Sequence, residues 1–162
     1  MIQQTLVLIK PDGVARGLIG NIIQRFEQRG LKIIALKLVK IDIDHAKQHY
    51  TEDITERHGE NVRNSLLSFI TGGPIVAMII EGVHAIKIVR KIVGNTFPGD
   101  ADLGTIRGDF CHMSKDYSKG KNKPENVVHA SADEIDAKKE IALWFSIDEI
   151  HDYKRAGEEH FL

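Results

Sequence analysis

Three basic side chains stand where a chain could hold and transfer an anion. His129 lies in Asn126-Val127-Val128-His129-Ala130-Ser131, which reads as a short buried strand delivering the histidine to the start of a helix. Ser131 and Glu134 have the spacing of a capping box, so that helix is expected to begin at Ser131. Free backbone N–H groups and the positive end of the macrodipole gather at a helix start and stabilise negative charge. An imidazole there can act as a nucleophile that accepts a phosphoryl group, with Glu140 orienting one ring nitrogen so that the other attacks. Lys10 closes the apolar run 5–10 (TLVLIK) before the expected turn Pro11-Asp12-Gly13, where a sheet edge can hold its ammonium toward a phosphate or hydroxyl. Arg107, within Gly104-Thr105-Ile106-Arg107-Gly108-Asp109, offers a guanidinium fork between glycines that let backbone approach an anion. Spacing alone leaves each of these open as an ordinary structural or solvated side chain. Arg90, near a helix C-terminus, is equally explained as a cation complementing the helix dipole.

The elements that must position these groups follow from periodicity. Residues 5–10 form a first strand. Ile19, Ile22, Ile23 and Phe26 mark a helix ended by Gly30, and 31–41 a second strand. Residues 44–50 suggest a short polar helix, and Val62, Leu66, Phe69 and Ile70 a firmer one broken at Gly72-Gly73-Pro74. The continuous apolar run 75–80 has the composition of a central strand buried on both faces. Ala85, Ile86, Val89 and Val93 give the next helix, closed by Gly94. No period holds over 94–125, a length that compact domains seldom leave irregular unless it is functional or disordered. After the His129 strand, Ala137, Ile141, Trp144 and Phe145 share one apolar helix face. This order predicts an α+β fold of ferredoxin-like type: one domain over 1–162, an antiparallel sheet with helices packed on it. Periodicity does not fix the strand order.

Composition narrows the function classes. The net charge of −1 argues against a nucleic-acid coat, and no run is apolar enough to span a membrane. One cysteine, Cys111, excludes an internal disulfide framework and fits a reducing, cytoplasmic setting. The pattern of a phosphate-binding P-loop is absent, as are the common zinc and calcium motifs, so no protein-held metal cage is expected.

Ile9-Lys10-Pro11-Asp12-Gly13-Val14, Arg16-Gly17-Leu18-Ile19-Gly20, Gly73-Pro74, Glu81-Gly82, Val89-Arg90, Gly94 with Thr96, and Gly104 through Phe110 occur in one order. Asn126 through Ser131 and Glu140-Ile141-Ala142-Leu143-Trp144-Phe145 complete the series. With these fragments the chain resembles nucleoside diphosphate kinase nearly end to end. The resemblance implies ping-pong transfer of the γ-phosphoryl group of a nucleoside triphosphate to a nucleoside diphosphate. His129 would be the nucleophile, Lys10 and Asn126 would hold the sugar 3′-hydroxyl, and Arg90, Thr96 and Arg107 the phosphates. Tyr50 and Glu140 would support the histidine, with Glu52 a further member. Mg²⁺ would arrive on the nucleotide phosphates, and the protein would assemble as a homo-oligomer. The tail, including Asp152-Tyr153-Lys154, resembles the hexameric members. Three departures from the family pattern stand out. Where the family carries a base-stacking phenylalanine, the chain has Glu56-Arg57-His58-Gly59-Glu60, so His58 or a neighbouring apolar residue would meet the base. Ala132 displaces by one residue the aspartate that follows the histidine. Residues 112–125 form an insertion-like connection.

Overall fold

The computed structural model describes residues 1–114, 116–117 and 125–160. Strands β1 (Ile2–Ile9), β2 (Lys32–Val39), β3 (Ile75–Val83) and β4 (Val128–Ala130) form one sheet in the order β2-β3-β1-β4. Every neighbouring pair is antiparallel, with Leu8 opposite both Ala77 of β3 and His129 of β4. This is the expected ferredoxin-like α+β arrangement, now with its strand order.

Alternation along the strands divides the core between the two faces. Val7, Ile9, Met78 and Ile80 face α2 (Ile19–Gln28) and α6 (Ala85–Val93), where Ile22, Phe26, Ala85 and Val89 meet them. Leu6, Leu8, Ala77 and Ile79 face the other way. They are covered by α3 (Ile43–His49), α5 (Glu60–Thr71) and the last long helix, α8 (Glu134–Trp144), through Ala46, Leu67, Ile70 and Trp144. β1 and β3, central in the sheet, are buried on both faces, which is why their sequences read as continuous apolar runs.

Four local expectations need correction. Pro11-Asp12-Gly13 opens a one-turn helix, α1 (Pro11–Ala15); proline suits the first helical position, where no N–H is needed. A further helix, α4 (Asp53–His58), precedes α5. The aperiodic stretch contains a 3-10 turn at Pro98–Asp100 and a short helix, α7 (Ile106–Phe110), too brief for a period to register. Finally, α8 is capped by Asp133, whose Oδ1 accepts from the N–H groups of Ile135 and Asp136 at 2.9 Å. Ser131 is still engaged with the sheet: its N–H donates to Leu6 O at 3.2 Å, and its hydroxyl oxygen accepts from Leu6 N–H at 3.2 Å. The expected insertion at 112–125 falls largely outside the described residues.

Candidate active site

β4 decides which way His129 faces. Val128 and Ala130 join the core beneath α2 and α6, so alternation turns His129 toward the face covered by α3 and α8. There its Nε2 meets Glu140 Oε1 at 2.9 Å, while Ser131 donates its hydroxyl proton to Glu140 Oε2 at 2.6 Å. Burial pushes the Glu140 carboxyl up, but His129 and the hydroxyl of Ser131 outweigh it and hold the group below its ordinary range. An ionised carboxylate only accepts, so His129 carries its proton on Nε2 and keeps the lone pair of Nδ1.

The strand is delivered by a strained turn. Val127 has φ of 57°, a backbone region that a β-branched residue rarely occupies. Its N–H donates to Asp12 Oδ2 at 3.0 Å and its carbonyl accepts from Lys10 N–H at 2.8 Å. Val128 N–H closes the turn onto Asn126 O at 2.7 Å. Such a conformation costs about 1–3 kcal/mol and persists only when its surroundings hold it. Here it joins the ends of β1 and β4, so Asn126, Lys10 and His129 share one cavity.

That cavity, of about 370 Å³, is lined by Lys10, Tyr50, Leu66, Arg90, Thr96, Arg107, Asn126, His129, Ala132, Asp136 and Glu140, among others. Lys10 donates from Nζ to Asn126 Oδ1 at 2.7 Å, and Asn126 Nδ2 donates to Thr96 O at 2.8 Å. Burial first, then the neighbouring Arg107 charge, lowers the Lys10 pKa to about 8. Arg107 is only 8% exposed. Its Nε, Nη1 and Nη2 donate to the carbonyls of Asn126, Gly94 and Val128 at 3.3, 3.1 and 2.7 Å. Burial lowers its pKa to about 10, which leaves it cationic at neutral pH. Three donors fix the guanidinium in place, and the fork has N–H groups left for an anion. Close backbone approach makes this possible. A Cβ on Gly108 would lie 2.1 Å from Asp102 O, and Gly94 has φ of 87° with Thr105 Oγ1 2.5 Å from its would-be Cβ.

Of the residues expected from the sequence, Lys10, Tyr50, Arg90, Thr96, Arg107, Asn126, His129 and Glu140 therefore converge on one cavity. Arg90 and Thr96 stand at its exposed side. Tyr50 is buried, and burial followed by the Glu140 charge pushes its hydroxyl pKa up. His58 ends α4, exposed, and is not among the lining residues. Glu52 is outside as well, paired with Arg63 Nη1 at 2.7 Å; Arg63 Nε in turn holds Tyr50 O at 2.8 Å. Asp12, Ser131, Leu66 and Asp136 gain places in or behind the site that spacing did not suggest. Larger hollows, of about 670 and 1020 Å³, lie beside Cys111 and along α5, but their linings contain none of Lys10, Arg107 or His129.

His49, His129 and Glu140 are the one group of metal-ligating side chains among the described residues whose donor atoms gather within 4.8 Å. Hydrogen bonds already engage one nitrogen of each imidazole and both oxygens of the carboxylate, Trp144 Nε1–H donating to His49 Nδ1 at 3.2 Å. The carboxylates lining the cavity are Glu140, committed to His129 and Ser131, and Asp136. That donor set suits a metal ion brought in on a polyphosphate better than a resident one.

A cavity combining buried cations, a carboxylate-backed imidazole and an antiparallel α+β scaffold defines a phosphotransferase. The family model described as nucleoside diphosphate kinase matches residues 3–150. Nucleoside diphosphate kinase of Borreliella burgdorferi is 49% identical over 99% of this chain and 98% of its own length. That of Sulfurisphaera tokodaii is 50% identical over 92% of each. Among solved structures, a transition-state mimic of the Borrelia burgdorferi enzyme with vanadate and ADP bound superposes with a TM-score of 0.96 at 49% identity, covering 99% of this chain and 96% of that one. The Halobacterium salinarum enzyme in complex with CDP gives 0.87 at 38% identity, covering 100% and 99%. The chain belongs to the nucleoside diphosphate kinase family, whose reaction moves a γ-phosphoryl group between nucleotides by a ping-pong route through phosphohistidine.

Proposed function

We propose that His129 is the phosphorylated residue of this chain and that the cavity around it binds Mg²⁺-nucleotides. The observation that carries the reading is the 2.9 Å contact between His129 Nε2 and Glu140 Oε1, which leaves the Nδ1 lone pair for attack beside Lys10, Arg90 and Arg107. Nδ1 attacks the γ-phosphorus, an N–P bond forms, and the bond to the bridging oxygen breaks, releasing a nucleoside diphosphate. A terminal oxygen of the second diphosphate then takes the phosphoryl group and the N–P bond breaks. Splitting the transfer this way replaces one encounter of two polyanions by two steps on a fixed nucleophile. Arg90, Thr96 and Arg107 neutralise and orient the phosphates, Lys10 and Asn126 hold the sugar 3′-hydroxyl, and Tyr50 and Glu140 support the imidazole. Mg²⁺ enters as part of the substrate, and Asp136 is the lining carboxylate free to meet its water shell. Leu66 supports the base in the absence of a stacking phenylalanine, a place more consistent with the geometry than His58.

The working unit is the 1–162 domain in a cytoplasmic homo-oligomer, with a hexamer favoured. The edge position of β2 and the exposure of Leu36 and Leu38 on one of its faces support self-association. Brief mixing with γ-labelled ATP followed by a quench tests the nucleophile assignment. Acid-labile label should appear on wild type and vanish in His129→Ala. Label that persists in the variant would sink it.

A further inference from the structure

His49, the last residue of α3, is the unused group closest to the chemistry. Its side chain is 1% exposed, and its ring packs edge-on against His129 with centroids 4.7 Å apart and planes at 82°. Tyr50 and Trp144 complete the enclosure, with ring centroids 4.7 and 5.6 Å from that of His49. Two facts determine where the His49 proton sits. The indole N–H of Trp144 points at Nδ1 from 3.2 Å, and an indole can only donate. Nδ1 must therefore accept, and the ring carries its hydrogen on Nε2. Nε2 has no partner among the described residues, a buried donor left unsatisfied at a cost to stability. The other tautomer would place the N–H at Nδ1, which lies 3.9 Å from Glu140 Oε1. That is the oxygen bonded to His129 Nε2.

We propose that Trp144 and His49 form a tautomer lock behind the nucleophile: the indole N–H occupies His49 Nδ1, keeps that ring's hydrogen on Nε2, and reserves Glu140 Oε1 for His129. The inference rests on His129 being the nucleophile. Without the lock, His49 would turn an N–H toward Oε1 from 3.9 Å, draw electrostatically on the charge that raises the basicity of His129, and weaken Nδ1 as a nucleophile. His49 and Trp144 are then positioning residues, acting through Glu140. Lys10 at the end of β1, His45 of α3, His129 of β4 and Glu140 of α8 face the His49 ring. Burial, then the neighbouring His129, lowers the His49 pKa to about 3 against the opposing pull of Glu140. The ring thus stays neutral across the working pH range, and the position of its one proton is the variable.

Nitrogen-15 spectra of the imidazoles read that position without reference to activity. Wild type should show His49 protonated at Nε2, and Trp144→Phe, which keeps a ring but removes the donor, should move the proton to Nδ1. In the same variant the rate of His129 phosphorylation should fall roughly tenfold with little change in KM, and the acid limb of the pH–rate profile should move to lower pH. Trp144→Phe combined with His49→Phe removes the competing donor and should restore both the rate and the limb. An Nδ1–H tautomer in wild-type His49 overturns the lock, as does a Trp144→Phe loss that the double variant fails to repair. Phosphorylation of His129 in the wild type is scored separately, so failure of the nucleophile assignment is distinguishable from failure of the lock.

Discussion

Lys10→Met should make the unliganded protein more stable while abolishing phosphoryl transfer. Lys10 is 5% exposed, and burial with Arg107 nearby lowers its pKa from the ordinary 10.5 to about 8. That fall corresponds to roughly 3 kcal/mol of penalty on the charged form in the folded state. Methionine keeps most of the apolar stem and removes the charge, but Asn126 Oδ1 loses a donor at 2.7 Å, which costs about 1–2 kcal/mol. The net gain is about 1–2 kcal/mol at pH 7, or roughly 2–4 °C of Tm for each kcal/mol in a chain of this size. The sign of the pH dependence follows from the lowered folded pKa. Below about 8 the folded and unfolded lysines are both charged and the penalty is whole. Between about 8 and 10.5 the unfolded chain binds more protons, so wild-type stability rises with pH relative to the variant. The advantage of Lys10→Met should therefore shrink across that window and end above it. Melting curves of both proteins at a series of pH values, with and without ADP, check this; ADP should raise the wild-type Tm far more than that of the variant. A variant less stable than wild type at pH 7, or a gain that ignores pH, would refute the reasoning.

Three further perturbations separate the parts of the site. Glu140→Gln retains shape but loses the charge that polarises His129, so phosphorylation of the histidine should slow by roughly a hundredfold in rapid-quench experiments, with KM nearly unchanged. Asp12→Ala removes the acceptor for Val127 N–H at 3.0 Å and releases a turn held at φ of 57°. Unfolding in urea should show a loss of about 2 kcal/mol, and kcat should fall with it because the turn sets Asn126 and His129. Leu66→Ser should raise KM for nucleoside diphosphates severalfold while His58→Ala leaves it unchanged, as steady-state kinetics with matched substrates will show, because Leu66 lines the cavity and His58 does not.

Much of the scaffold is legible in apolar spacing because the sheet divides its core cleanly between two faces. The continuous run in β3 marks a strand buried on both sides, and the helical repeat ending at Gly94 marks α6. Other features are set by contacts that no local pattern encodes. The Ser131–Glu134 spacing invites a cap, yet Ser131 is held by Leu6 across the sheet and by Glu140, and Asp133 takes the helix start. Valine is a residue that sequence reasoning places anywhere but the left-handed region, and Val127 is there because Asp12 and Lys10 grip its peptide groups. Spacing suggested His129, Lys10 and Arg107 one at a time. The resemblance added Tyr50, Thr96 and Asn126, and only the antiparallel register brings the ends of β1 and β4 together. His49 reads in sequence as the end of a polar helix, and its burial depends on α3 packing beneath α8.

The protons behind the proposed nucleophile are ordered by groups of fixed polarity at both ends. At one end the ionised Glu140 carboxylate can only accept, which assigns the His129 proton to Nε2 and the Ser131 proton to its second oxygen. At the other, the Trp144 indole can only donate, which assigns the His49 proton away from Nδ1. Two imidazoles 4.7 Å apart would otherwise share several arrangements of nearly equal energy, and only some leave Nδ1 of His129 available. Placing one pure acceptor and one pure donor around the pair removes that degeneracy. The cost falls on His49 Nε2, left without a partner among the described residues, and on the buried charges of Lys10 and Arg107. Stability is surrendered at those three groups, in keeping with the proposed role of the cavity as a polyphosphate site.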